Sequence, residues 1–98
     1  MAQDGFSREL DLVNEHGLHL RPASKFVSIA NSFRAEVFVS VNGGEEGNGK
    51  SILDLSARAA ARGSSFRIRT LGDDAEAALA ALVELVASGF GEVADGSS

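Results

Sequence analysis

The chain has 98 residues, 44% hydrophobic and 23% charged, which suits one domain around a single modest core. Its net charge of −5 argues against a nonspecific nucleic-acid binder, and its lack of cysteine excludes disulfides, thiolate nucleophiles and cysteine-based metal sites. No apolar run approaches the roughly 20 residues that span a bilayer, and the first five residues lack the basic and apolar regions of a signal peptide, so no membrane insertion and a cytoplasmic location are expected.

Residues 1–5 read as a flexible N-terminus. Residues 6–13 form a loosely alternating first strand with Phe6, Leu10, Leu12 and Val13 as its apolar positions. A turn at 14–17 leads to a helix over 20–32, where Ala23, Phe26, Val27, Ala30 and Phe33 recur on one face. A half-buried strand follows at 34–41, setting Ala35, Val37, Val39 and Val41 against Arg34, Glu36, Phe38 and Ser40. Residues 42–49 are a turn-rich loop flanking or containing a short third strand. Ser51 opens a short helix, and Ser51-x-x-Asp54 has the form of a capping box. Residues 57–62 are able to extend that helix and Gly63 to stop it.

The fourth strand, 65–70, alternates Phe66 and Ile68 with Arg67 and Arg69. A last helix over 75–88 has Asp73 as its expected N-cap, Gly89 as its stop, and Ala75, Leu79, Leu82, Val83 and Val86 as its apolar face. Residues 93–98 read as a flexible tail. With no internal repeat or second domain, the order β-α-β-β-α-β-α gives an α+β fold with two layers around one core.

The chemistry concentrates at Gly17-Leu18-His19-Leu20-Arg21-Pro22-Ala23. His19 falls at the N-cap of the first helix, beside the amides of Leu20 and Arg21, where an anion is favoured. Arg21 adds a planar cationic fork suited to phosphate oxygens. Pro22 lacks an N–H at a place where that group would have no intrahelical partner. An imidazole is largely uncharged near neutral pH and able to attack phosphorus, so the layout suits carriage of a phosphoryl group.

Gly17-Leu18-His19-x-Arg21-Pro22-Ala23 resembles the active-site signature of the HPr family, the small histidine phosphocarriers of the bacterial phosphoenolpyruvate-dependent phosphotransferase system. The likeness runs over 6–92. Lys50-Ser51-Ile52-Leu53 resembles the family's second motif, around a regulatory serine, and residues 87–92 resemble the tail of its nitrogen-related branch. The resemblance implies a four-stranded antiparallel sheet in the order 1-4-2-3 with three helices on one face, an open-faced sandwich. It also implies Nδ1 of His19 as acceptor, Arg21 as charge compensator, Enzyme I as donor, and a histidine of an EIIA protein as receiver. An HPr kinase/phosphorylase is the implied modifier of Ser51.

Such a carrier turns over no substrate alone and needs no cofactor; a monomer is expected. Residues 33–37 and 87–92 lean towards the regulatory branch rather than sugar uptake. The alternative is an interaction module acting through Ser51 phosphorylation without obligatory transfer.

Leu20 departs from the small or hydroxyl residue of most relatives, and Asp54 from a neutral or basic one. Leu20, Ile52 and Leu53 are the expected apolar docking residues, from two helix starts brought together around His19, with Lys25 as a rim cation. His16 is read as a surface residue; with only Glu15 nearby, His16 and His19 do not make a metal site. Residues 44–51 literally match the phosphate-loop pattern G-x-x-x-x-G-K-[ST]. That pattern needs a parallel sheet and a long following helix, for which the chain is too short, so a glycine-rich turn meeting a capped helix is expected instead.

Overall fold

The computed structural model describes residues 5–13, 17–58 and 62–91. Seven elements follow in the expected order: β1 (Gly5–Asp11), α1 (Leu20–Ala30), β2 (Glu36–Val41), β3 (Gly47–Asn48), α2 (Ile52–Ala57), β4 (Ser65–Leu71) and α3 (Ala75–Ala87). The sheet order is β1-β4-β2-β3 and every pair is antiparallel. β1 and β2 therefore run in the same direction with β4 inserted between them. Joining them needs a crossover, and α1 supplies it.

Alternation fixes which face each strand buries. Phe66, Ile68 and Thr70 of β4 point to the helices with Val37 and Val39 of β2, and all five are buried. The opposite face carries Arg67, Arg69, Glu36 and Phe38. On α1, Ala23, Phe26, Val27 and Ala30 are buried at helical spacing. The Phe26 ring meets Phe66 edge to face at 5.7 Å between centroids, a geometry that adds to the burial of both rings.

Several details differ from the sequence reading: Gly5, expected in a flexible N-terminus, already pairs with Leu71 in β1, α1 ends at Ala30 rather than 32, and β2 begins at Glu36 rather than 34. β1 ends at Asp11, because Leu12 leaves the strand ladder; its amide donates to Ser64 O and its carbonyl accepts from Gly63 N. Leu12 is buried, whereas Val13 and the edge residue Phe6 are exposed. α2 stops at Ala57, with Arg58 as its C-cap; residues 59–61, a possible extension by pattern, lie outside the described residues, as do His16 and residues 92–98.

The N-cap of α3 is Asp74, not Asp73. Its carboxylate does not close its own helix. It accepts instead from the amides of Arg34 (2.9 Å) and Ala35 (2.8 Å), which lead into β2. Two adjacent aspartates compete for the cap, and only Asp74 also reaches these amides. The Arg34 amide above all, with that of Ala35, holds the Asp74 carboxyl below its ordinary range against a desolvation acting the other way.

The other end of α3 holds a feature that periodicity does not show. Gly89, Phe90 and Gly91 are successively left-handed, with φ of 74°, 61° and 74°. Positive φ is costly for phenylalanine, yet it drops the Phe90 ring, fully buried, into the core. Phe90 N donates to Leu85 O at 2.8 Å, closing the helix end.

Candidate functional site

His19 lies on a short exposed rise between two buried anchors. Gly17 takes φ 63°, which glycine adopts without strain, and turns the chain so that Leu18 is buried at 1% exposure. His19, Leu20 and Arg21 are then exposed, and Pro22 and Ala23 are buried again. His19 is the N-cap in extended geometry (φ −98°, ψ −172°), and its side chain makes no cap hydrogen bond. The first helical bond runs from Ala23 N to His19 O at 3.0 Å.

The amides of Leu20 and Arg21 precede that bond, and Pro22 has none. Among the described residues neither amide has a partner, and no acidic side chain stands in the first turn. The positive end of the helix dipole and two N–H groups thus face solvent beside an imidazole. The Arg21 guanidinium makes no hydrogen bond or ion pair with any described residue. A nucleophilic ring, anion-binding amides and a planar cation within three consecutive residues are what transfer of a phosphoryl group requires, because that chemistry depends on positioning and charge.

The proposed docking residues divide. Leu20 is 64% exposed, Leu53 82% and Ile52 38%, while Leu55 is fully buried. Lys25 is no free rim cation. It is half-buried, and its Nζ donates to Phe90 O at 2.9 Å, fastening α1 to the turn after α3. Nor do the two helix starts converge on His19. Asn31, the C-cap of α1, donates through Nδ2 to Lys50 O (3.4 Å), and Lys50 Nζ donates to Phe33 O (2.7 Å). The start of α2 therefore sits at the far end of α1, roughly 18 Å along the axis at 1.5 Å per residue. Local pattern identifies helix starts but not how helices pack.

Ser51 is the N-cap of α2; its Oγ accepts from Asp54 N at 3.2 Å. The capping box is only half made. The Asp54 carboxylate takes Asn48 N (2.9 Å), and Ser51 N donates to Asn48 O (3.1 Å). The phosphate-loop lookalike is a hairpin connection: Gly44 N bonds Val41 O, Gly47 pairs with Val39 in β3, and Gly49 N bonds Val37 O. A Cβ at Gly49 would lie 2.4 Å from Val37 Cγ1, so packing alone requires this glycine. The Lys50 ammonium is already bound to a backbone carbonyl.

Among the described residues no group of three or more His, Cys, Asp or Glu side chains is placed to hold a metal, and no helix is long and apolar enough to cross a membrane.

The sequence profile of the family described as PTS HPr component phosphorylation site matches residues 6–88. The chain is 39% identical over 85 residues to the phosphocarrier protein HPr of Neisseria meningitidis serogroup A, covering 87% of this chain and 94% of that one. The crystal structure of HPr-C-His from Thermoanaerobacter tengcongensis superposes with a TM-score of 0.84 at 34% identity, covering 90% of this chain and 98% of that one. The multiphosphoryl transfer protein of Salmonella typhimurium is 36% identical over 94 residues, which is 94% of this chain and 25% of that protein. The chain belongs to the HPr family of phosphotransferase-system phosphocarriers. As a member it carries a phosphoryl group rather than turning over a substrate.

Proposed function

We propose that His19 accepts a phosphoryl group from phospho-Enzyme I through Nδ1 and passes it to a histidine of an EIIA protein, the functional unit spanning 6–92. The observation that carries this reading is the open start of α1: an exposed imidazole beside two amides and a guanidinium that have no partner among the described residues. Attack by the ring nitrogen forms the P–N bond as the donor's P–N bond breaks. The amides of Leu20 and Arg21 and the Arg21 fork hold the phosphoryl oxygens throughout. Leu20, Leu53 and Ile52 supply apolar contact to both partners, and the dissociation of each partner completes the cycle.

Similarity to a segment of a multiphosphoryl transfer protein supports a place in a phosphoryl relay. Ser51 is a second, regulatory site: a phosphate there adds about −1.5 to −2 of charge one residue before Ile52 and Leu53.

The test is incubation with phosphoenolpyruvate and Enzyme I, followed by intact mass and acid treatment. Wild type gains one acid-labile phosphoryl group, and His19→Ala gains none. No adduct on wild type, with an Enzyme I proven on another carrier, overturns the reading in favour of a Ser51-centred interaction module.

A further inference from the structure

α2 has six residues, too few to hold helical form by itself, and its one fully buried side chain is Leu55. That apolar plug and the bond from Asn48 N to the Asp54 carboxylate hold the front of the helix and leave its C-terminal turn to be fixed by something else. The polar contacts beyond its end do so. Arg58 Nη1 donates to Asp54 O, Nε to Glu45 O and Nη2 to Glu46 O, each at 3.2 Å. The guanidinium lies against Gly47, where a Cβ would approach Cζ to 2.5 Å. Glu46 is held from its other side: Arg69 grips its carboxylate in two bonds of 2.7 and 2.8 Å and stacks on Phe38 at 4.5 Å. One arginine thus joins the last turn of α2 to the β2–β3 loop, and a second ties that loop to the sheet.

We propose that Arg58 is a positioning residue for partner docking: it fixes the rotation of α2 and so the place at which Leu53 and Ile52 meet a phosphoryl donor. This rests on the docking role given to those residues above. Three carbonyls spread around one group require a planar fork, which a lysine ammonium does not reproduce.

The test is steady-state phosphorylation by phospho-Enzyme I of the full-length chain and its Arg58→Ala, Arg58→Lys, Leu53→Ala and Arg58→Ala/Leu53→Ala variants, at a temperature where circular dichroism shows all to be folded. KM is expected to rise about fivefold for Arg58→Ala, about twofold for Arg58→Lys and about tenfold for Leu53→Ala, with kcat unchanged. Because Arg58 acts through the placement of Leu53 and, to a smaller extent, of the less exposed Ile52, the double variant should rise only about ten- to twentyfold. A rise of about fiftyfold, the product of independent effects, overturns the proposal. So does an unchanged KM in Arg58→Ala.

If Leu53→Ala is silent or wild type accepts no phosphoryl group, the docking reading fails rather than the latch. Hydrogen exchange then decides the latch: amides 52–57 should exchange about tenfold faster in Arg58→Ala, and unchanged protection overturns it.

Discussion

α1 and α2 both begin where an extended residue hands the chain to a helix, yet they differ at the N-cap side chain and at the third helical residue. At α1 the N-cap side chain makes no cap bond, the third helical residue is a proline, and two amides face outward. At α2 the serine caps the third helical amide, the aspartate ties back to β3, and Lys50 just before the cap binds a backbone carbonyl. The open start is fit to hold an anion, and the closed one serves as a joint. The difference explains why the phosphate-loop pattern misleads: residues 44–51 have the right letters, but the amides of Gly44, Asn48, Gly49, Lys50 and Ser51 and the Lys50 ammonium already have acceptors within the chain. A motif is active only where the fold leaves its hydrogen-bonding groups unsatisfied.

The comparison is broken most severely from within the closed joint. Leu55→Ala removes the buried plug of α2 and should cost about 3 kcal/mol in urea unfolding, whereas Leu53→Ala next to it should be nearly neutral to stability. At the open start the order reverses. Arg21→Gln should leave the melting temperature unchanged and slow phosphorylation by phospho-Enzyme I about a hundredfold, seen by rapid-quench mass analysis.

Ser51→Ala should cost about 1 kcal/mol, near 5 °C in melting temperature. Ser51→Asp, which still caps, should melt within about 2 °C of wild type. If Ser51→Ala melts like wild type, α2 is not closed by its cap and the contrast fails.

The third helix start sharpens the contrast with the smallest effect. Asp74 spends its carboxylate on β2 rather than on α3. Its pKa is lowered on folding, so its contribution is fully present above the unfolded value near pH 4 and is lost as pH falls through the folded value. Asp74→Asn should therefore melt below wild type at neutral pH, and the two melting temperatures should converge under acid. A difference that persists at pH 2 would exclude ionisation as its source.

Local pattern made much of this legible. The alternation in β4, the α1 stripe from Ala23 to Ala30 and the N-cap place of His19 all follow from spacing between near neighbours. What escaped depends on partners remote in sequence. Lys25 meets Phe90 only after α1 and α3 have packed, so its charge reads as free until the fold is known. The choice of Asp74 over Asp73 depends on amides forty residues away. The Arg58 bracket left one trace, a glycine at position 47 where no side chain fits beneath the guanidinium. The position of the α2 start relative to α1 left none, because it is a packing relation rather than a pattern.

The sheet order carries a consequence for synthesis. Among the described residues β4 is the only strand that bonds to both β1 and β2, pairing Gly5 with Leu71 and Glu36 with that same Leu71. Until the ribosome has released the chain through Leu71, the first two strands have no common neighbour and α1 has no complete surface on which to lie. Contacts this distant along the chain close slowly. A nascent chain stalled before Ser65 should remain protease-sensitive even though His19 and its helix have long been made, and full protection should appear only once β4 and α3 have emerged.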